Sequence, residues 1–343
     1  MLGRVILLGA SAGGVHALQE VVKGLPADLP AAVLVVLHVS PYGRSAMPAI
    51  LSRAGVLPAL HPEDGEPMQE GRVYVAPPDH HLIVQDGRVR LSHGPSENAQ
   101  RPCVDVLFRT AAQAYGPRVI AVVLTGNLDD GTAGLAVVKR LGGISIVQDP
   151  AGADYPSMPA SAIHNMEVDH VVPLADIPRL LVDLCNQPLG DDPDPDEEGR
   201  DMKEEVEHGQ DPQESGVPSD LTCPACGGSL RESRVDSVIH FRCRTGHAYS
   251  PESLLAKQTD TIEESLWAAV RSLEENAALA RRMERRMRQL RGSGPAGDAR
   301  YGKRAREAER HVNVLREMLV KAEEGTQELD TEEALPRKAS TRT

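Results

Sequence analysis

The amino-acid sequence predicts an α/β protein in which residues 1–185 fold as a doubly wound, mostly parallel sheet in a three-layer, Rossmann-like arrangement. Two short runs rich in Val and Leu, Arg4–Leu8 and Ala31–His38, are typical of parallel strands covered on both faces. Between them, apolar residues recur at helical spacing over Val15–Leu25. The order strand, helix, strand defines one βαβ unit and carries the fold-class prediction.

A later part of the same domain repeats this alternation. Its helices and strands are predicted over Val104–Ala114 (helix), Arg118–Leu124 (strand), Ala133–Leu141 (helix) and Gly143–Val147 (strand). Between the two halves, Gly71–Ala76 and His81–Ser92 are predicted as strands of a hairpin, because Asp86-Gly87 favours a tight turn.

Four further parts are predicted downstream. Residues 186–219 are rich in Pro, Gly, Asp and Glu and have too few apolar side chains to offset the entropy of ordering, which predicts an acidic disordered linker. Residues 220–250 are predicted to form a small zinc-ribbon-like module. Residues 251–330 contain two amphipathic stretches interrupted by Gly292–Gly297, which predicts an antiparallel helical hairpin, and residues 331–343 a flexible tail.

Composition narrows the class of protein. The net charge is −13, and twelve acidic residues lie between Asp191 and Glu214, so the linker accounts for most of the imbalance and nothing supports a nucleic-acid partner. Five cysteines are too few for a secreted disulfide scaffold. Val5–Leu8 is too short for a signal-peptide core, and no run approaches about 18 apolar residues. We therefore expect a cytoplasmic protein without membrane insertion.

Ser11 is the first candidate for chemistry. The first predicted strand runs directly into the small residues of Gly9–Gly14 and then into a helix, which places Ser11 at the carboxyl edge of the sheet, where open α/β folds bind ligands. Amides at the start of that helix would be free to stabilise an oxyanion. Taken alone, the turn is equally compatible with phosphate binding or with close helix packing.

Two further polar groups follow strand ends. His38 ends the second apolar strand, and Asp129-Asp130 follow the strand that ends at Leu124. Individually, a histidine at a strand end is usually structural and an Asp pair is a common helix cap. Together with Ser11 they supply a nucleophile, a general base and a carboxylate that orients the base.

Ordered motifs over about residues 3–180 resemble the CheB protein-glutamate methylesterase family. They are the turn Gly9–Gly14, Leu37-His38, the run Arg101–Phe108 and the loop Leu124–Gly131, with Gln148-Asp149 and Met158-Pro159 further on. The resemblance implies that the nucleophile is Ser11, the base is His38 and the orienting carboxylate is Asp130 rather than Asp129. It also implies oxyanion donors, which would be the backbone amides of Ala12 and Asn127.

The resemblance implies an activity and a partner as well. The expected reaction is hydrolysis of glutamate methyl esters on a chemoreceptor or similar helical signalling protein, and in some members deamidation of glutamine, with no catalytic cofactor. Two departures from the family pattern stand out: Asn127-Leu128 replaces a methionine-glycine pair, and a first strand beginning at Arg4 leaves no room for the usual receiver domain ahead of it. The resemblance therefore does not extend to control by phosphorylation, and the sequence leaves the regulation of this chain open.

Two other classes of function are compatible with the same residues. One is a catalytically silent scaffold that keeps the family fold, and the other is an anion- or nucleotide-binding α/β domain. Release of methanol from a methylated protein would separate an esterase from both.

The cysteines of the small module have metal-ligand spacing. Cys223-x2-Cys226 and Cys243-x3-His247 form two close pairs of the kind that bind structural Zn²⁺ tetrahedrally, with His240 as a competing fourth ligand. Unligated thiols are the alternative. In the predicted hairpin, an arginine cluster at the end of the first helix is either a solvated face or a docking site for an acidic partner; its members are Arg281, Arg282, Arg285, Arg286, Arg288 and Arg291.

Overall fold

The computed structural model describes residues 3–188, 216–235, 238–291 and 295–333, without side chains at 235, 238, 290–299 and 322–333. The chain divides into two compact units, Met1–Ala256 and Lys257–Thr343. Most of the predicted linker, residues 189–215, and the last ten residues of the predicted tail lie outside the described residues.

A seven-stranded sheet with all neighbours parallel forms the centre of the first unit. Its strands are β1 (Arg4–Ala10), β2 (Ala31–Leu37), β3 (Ala59–Leu60), β4 (Val73–Val75), β7 (Val119–Val123), β8 (Ile144–Gln148) and β9 (His170–Val172). The spatial order is β3-β4-β2-β1-β7-β8-β9. Because the order reverses beside β1, the carboxyl ends of β1, β2 and β7 meet at the place where open α/β sheets bind ligands.

Helices cover both faces of this sheet, which confirms the predicted α/β fold class. They are α1 (Gly14–Lys23), α2 (Met47–Ala54), α3 (Val104–Tyr115), α4 (Thr132–Arg140), α5 (Ser157–Asn165) and α6 (Ile177–Cys185). Alternate residues of the strands enter two separate apolar cores: Ile6 and Leu8 of β1 lie in one, and Val5 and Leu7 in the other. Both β1 and β2 are buried along their whole length, as their unbroken apolar runs predict.

One of the two predicted hairpin segments was wrong. Within His81–Ser92, β5 (His81–Gln85) and β6 (Arg88–Ser92) do pair antiparallel around Asp86-Gly87, as predicted. Gly71–Ala76, however, contains β4, a parallel strand of the central sheet hydrogen-bonded to β2. With only three residues, Val73–Val75, this strand is too short for its pairing partner to be read from sequence periodicity.

The small module, residues 217–250, is a four-stranded antiparallel sheet within the first unit. Its strands in spatial order are β10 (Val217–Thr222), β11 (Ser229–Val235), β12 (Val238–Cys243) and β13 (Ala248–Tyr249). We call it the Cys/His module. Its first strand begins at Val217, within the segment 186–219 that was predicted as linker, because β10 pairs with β11 in spite of its polar composition.

Two long helices follow, α7 (Pro251–Arg291) and α8 (Pro295–Glu333). In the second unit they run antiparallel, since Arg281 of α7 bonds Glu309 of α8 while the earlier Glu274 bonds the later Arg316. Apolar contacts between Val270, Val312 and Leu319 hold the pair together. Within the described residues, no helix has both the length and the apolar character needed to cross a membrane.

Candidate active site

Ser11 lies immediately after β1, in a turn that needs glycine. Gly13 has a φ of +72°, in the left-handed region that most side chains avoid, and α1 begins at the next residue. The Ser11 amide donates to the carbonyl of Thr125, 3.0 Å away, which ties the turn to the loop after β7. The predicted nucleophile is therefore anchored to two neighbouring strands of the sheet.

His38 connects the other two predicted residues. It follows β2, and its amide donates to the Ala10 carbonyl at 3.2 Å, so its backbone is fixed beside the end of β1. The ring Nδ1 is 3.0 Å from Ser11 Oγ, and Nε2 is 2.7 Å from Asp130 Oδ2. A carboxylate on the Nε2 side stabilises the tautomer protonated at Nε2, which leaves Nδ1 as the proton acceptor facing Ser11.

Asp130 is buried in a cage of donors at the N-terminus of α3. The amides of Val104 and Asp105 donate to its two oxygens at 2.7 and 3.2 Å, and Cys103 Sγ and Asn98 Nδ2 lie 3.1 and 3.0 Å from Oδ1. Burial alone would raise the pKa of Asp130, but the hydrogen bond and charge of His38 and the backbone donors hold that pKa well below its usual range. The side chain is thus a fixed carboxylate.

Asp129, the neighbouring carboxyl, lies in different surroundings. Its Oδ1 accepts hydrogen bonds from Ser250 Oγ at 2.7 Å and Ser253 Oγ at 3.0 Å. Burial raises the pKa of Asp129 to about 7. Of the two adjacent aspartates, Asp130 contacts His38, and Asp129 contacts Ser250 at the end of the Cys/His module and Ser253 just after it.

The two predicted oxyanion amides remain available. The amide that precedes each of them is occupied, since Ser11 donates to Thr125 and Gly126 donates to the carbonyl of Tyr155. Among the described residues, the amides of Ala12 and Asn127 have no hydrogen-bond acceptor. Ala12 directly follows Ser11, and Asn127 directly follows Gly126, where a Cβ would lie 2.8 Å from Ser11 Cβ. Donors of this kind beside a nucleophile are what an oxyanion site requires.

Asn98 and Cys103 were missed by the sequence analysis. The run that contains Cys103 had been recognised as a family motif, but only the fold shows that the start of α3 faces Asp130. The sequence did contain one signal for this contact. The first amides of a helix have no acceptor within the helix and attract a carboxylate, and a helix is predicted to begin at Val104.

The different roles of the two aspartates predict different effects of one substitution. Asp130→Asn should lower kcat by about 10³- to 10⁴-fold, because an amide in the donor cage cannot stabilise a positively charged imidazole. Asp129→Asn should leave kcat within about threefold, because the amide oxygen still accepts from the serines. Steady-state ester hydrolysis by both variants measures this. Equal losses at the two positions would assign no special role to Asp130.

Gly126 predicts a steric requirement beside the nucleophile. A Cβ at this position would overlap Met158 Sδ and lie 2.8 Å from Ser11 Cβ, so Gly126→Ala must move one of these side chains. We expect kcat/KM to fall about 100-fold, as it does for displacements of about 1 Å in other active sites. Gly152→Ala is the matched control, since a Cβ there meets nothing within 4 Å. Unchanged kcat/KM in Gly126→Ala would contradict the described packing.

The four predicted metal ligands converge. Cys226 Sγ is 3.7 Å from Cys243 Sγ, and His247 Nδ1 is 3.7 Å from Cys223 Sγ and 3.5 Å from Cys243 Sγ. Sulfurs bound about 2.3 Å from one tetrahedral zinc ion lie about 3.8 Å apart, so the donor set fits a Cys₃His zinc site. The competing His240 is in β12 opposite Ser233 and is not part of the cluster.

Fold and site together define a class: a parallel α/β domain with serine, histidine and aspartate at the carboxyl ends of adjacent strands. The model of the CheB methylesterase family matches residues 6–181, about half of the chain. The chain belongs to the CheB methylesterase family, as the ordered motifs predicted.

Several known proteins are similar to this domain. A protein-glutamate methylesterase/protein-glutamine glutaminase 2 of Anaeromyxobacter dehalogenans is 39% identical over 180 residues, which cover 52% of this chain and 53% of that protein. A putative protein of the same description from Leptospira interrogans is 37% identical over 180 residues, 52% of this chain and 93% of its own. The chain thus matches only about half the length of the first of these relatives.

A solved structure supports the same assignment. The crystal structure of the Thermotoga maritima CheB methylesterase catalytic domain superposes with a TM-score of 0.52 at 36% sequence identity, covering all of that chain and 54% of this one. The Cys/His module and the two long helices lie outside the span matched by the family model.

Proposed function

We propose that this protein is a serine carboxylic ester hydrolase that removes methyl groups from glutamate methyl esters of a helical signalling protein. The continuous hydrogen-bond chain from Ser11 Oγ through His38 to Asp130 carries the proposal. Family membership and the names of the relatives support the choice of a protein methyl ester as the substrate.

The first half of the reaction forms an acyl-enzyme. His38 Nδ1 accepts the Ser11 hydroxyl proton as Oγ attacks the ester carbonyl, and Asp130 stabilises the imidazolium through Nε2–H. The amides of Ala12 and Asn127 donate to the oxyanion of the tetrahedral intermediate. His38 then gives its proton to the departing methoxy oxygen. Methanol leaves, and the acyl group of the glutamate side chain stays bonded to Ser11 Oγ.

The second half regenerates the enzyme. Water attacks the acyl carbon while His38 accepts its proton, and collapse of the second tetrahedral intermediate returns that proton to Ser11 Oγ. The product is a glutamate carboxylate. The same steps on a glutamine side chain would expel ammonia in place of methanol, in line with the glutaminase part of the relatives' names.

The partner we propose is a methylated chemoreceptor or a similar helical signalling protein, and the cofactor we propose is a structural zinc ion. Cys223, Cys226, Cys243 and His247 would hold the metal, and four protein ligands would leave no open position for substrate. When bound, the ion supplies folding energy to the Cys/His module. No zinc-dependent step is part of the esterase reaction.

Methanol release from a methylated receptor fragment tests the proposed reaction. Wild-type protein should release methanol in proportion to enzyme, and Ser11→Ala should release it no faster than buffer. The receptor should gain one negative charge for each methanol. If wild type and Ser11→Ala are equally slow on methylated helical substrates, the chain is a silent member of its family or a ligand-binding domain, and the esterase proposal is wrong.

A further inference from the structure

Asn98 lies behind the catalytic aspartate and is almost fully buried, at 4% exposure. It belongs to the loop before α3 and has a φ of +50°, a left-handed conformation that asparagine tolerates better than most residues. Its Nδ2 donates to Asp130 Oδ1 at 3.0 Å and to Asp105 Oδ2 at 2.8 Å. Both amide hydrogens are therefore donated to side-chain carboxyl groups.

The opposite end of the same side chain faces the last residue of the Cys/His module. Asn98 Oδ1 accepts a hydrogen bond from the backbone amide of Ser250 at 3.0 Å. Two carboxyl oxygens on one side and an N–H donor on the other determine the orientation of the side-chain amide. Asn98 thus joins Asp130 to Ser250, which lies 152 positions after Asn98 in the chain.

Further contacts hold the module against this loop. The Asn98 amide donates to the Ala248 carbonyl at 2.8 Å, and the Ala248 amide donates to the Ser96 carbonyl at 3.3 Å. Beside them, the partly buried carboxylate of Glu97 pairs with Arg242 of the module at 3.2 Å. The attraction of Arg109 and Arg242 outweighs the effect of burial and lowers the pKa of Glu97, so this ion pair is charged at neutral pH.

We propose that Asn98 is a positioning residue for Asp130, and that the Cys/His module keeps Asn98 in place through the Ser250 amide. The inference rests on the proposed function, because positioning matters only if Asp130 supports a reacting serine. It adds to that function a dependence on the module, which lies outside the matched family span.

The physical reason is the orientation of one carboxylate. Asp130 must present Oδ2 to His38 Nε2 while Oδ1 is held elsewhere, and Asn98 is one of the donors on Oδ1. Burial and the neighbouring Asp130 raise the pKa of Asp105 well above its usual range. Without Asn98, the side chains of Asp105 and Asp130 lose the donor that they share. The carboxylate then gains freedom to rotate, and the His38 ring loses its fixed direction.

The first test removes the side chain without straining the backbone. Asn98→Gly tolerates the left-handed φ, and Ala99→Gly, at a neighbouring φ of +58°, is the matched control. The readout is the second-order rate of Ser11 phosphonylation by a fluorophosphonate, which reports nucleophile activation with no need for a methylated protein. We expect a loss of about 10- to 100-fold in Asn98→Gly, the scale of one hydrogen bond to a charged group, and none in Ala99→Gly.

A double-mutant cycle separates positioning from general damage. In the Asp130→Ala background, Asn98→Gly should change the phosphonylation rate by less than about twofold, because its effect acts through the missing carboxylate. A full additional loss in that background would show that Asn98 merely stabilises the fold and would overturn the proposal. So would an unchanged rate in the single variant.

The second test concerns the Ser250 amide. Ser250→Pro removes the N–H that reaches Asn98, whereas Ser250→Ala keeps it and removes only the hydroxyl. The proline variant should lose about as much phosphonylation rate as Asn98→Gly, and Asn98→Gly combined with Ser250→Pro should be no slower than either alone. A loss that adds to that of Asn98→Gly, or equal losses for proline and alanine, would overturn the role of the module.

The two proposals fail in different ways. If the cycles hold but no methylated protein yields methanol, the proposed substrate is wrong and the role of Asn98 stands. If methanol is released and Ser11 of Asn98→Gly is phosphonylated as fast as in wild type, the esterase proposal is supported and the role of Asn98 is wrong. A wild-type protein that is not phosphonylated at Ser11 overturns both.

Discussion

His38→Ala should lower kcat/KM for ester hydrolysis by about 10⁴- to 10⁶-fold, because the residues of such a catalytic unit act together. Without the imidazole, Ser11 Oγ loses the proton acceptor that it contacts in the described part of the chain, and Asp130 loses the group that it stabilises. The Ser11→Ala, His38→Ala double variant should therefore be about as slow as either single variant. Methanol release, or hydrolysis of a chromogenic ester, measures all three.

A histidine remote from the chemistry serves as the control for this experiment. His311 is exposed on α8, and His311→Ala should leave kcat/KM unchanged. If the losses of Ser11→Ala and His38→Ala multiplied in the double variant, the two residues would not act as one catalytic unit.

Asp130 contributes a pH prediction: its pKa lies well below the usual range, so its carboxylate stays charged as the pH falls to mildly acidic values. Any activity lost at mildly acidic pH should therefore not come from protonation of Asp130.

Cys243→Ala should unfold the Cys/His module and abolish zinc binding. The apolar core of the module consists of little more than Leu230, Tyr249 and Leu254 around Cys223 and Cys243, too few side chains to hold about thirty residues. Structural zinc contributes on the order of 10 kcal/mol to modules of this size at pH 7, so losing the site removes most of their folding energy. Metal analysis and proteolysis within residues 217–250 measure the result.

A buried cysteine outside the cluster provides the control. Cys185 ends α6 in the core of the α/β domain, and Cys185→Ala should keep one zinc ion per chain. A strong chelator should reproduce the behaviour of Cys243→Ala in wild-type protein. A freshly purified chain without zinc, with a module that resists proteolysis, would show that the four side chains are unligated.

Some parts of the site could be predicted because strand ends are visible in a sequence. Ser11 and His38 each follow an unbroken apolar run, and parallel strands bring such ends to one edge of the sheet. The choice of Asp130 over Asp129 rests mainly on the family motif. Its structural basis is the start of α3, which supplies Asp130 with two backbone amides and leaves Asp129 outside the cage.

Other parts could not be predicted, because they depend on contacts between distant residues. Asn98 has a left-handed backbone in a loop with no periodic pattern, and the group that orients it is the amide of Ser250. Nothing in the local sequence of either residue specifies that pairing. The prediction for β4 was wrong for a related reason. Three residues contain too little alternation to distinguish a parallel strand of the central sheet from a strand of an antiparallel hairpin.

The direction of the His38 ring has a consequence for inhibitor design. Nδ1, the ring nitrogen nearer to the backbone, faces Ser11, and the outer Nε2 faces the carboxylate. An electrophile that bridges serine and histidine would therefore have to alkylate Nδ1, the more crowded nitrogen. Reactive groups designed for the outer nitrogen of a protease histidine would not reach it, because that nitrogen faces Asp130 here. An asparagine at position 38 could imitate the nitrogen that faces Ser11, while a glutamine would imitate the one that faces Asp130.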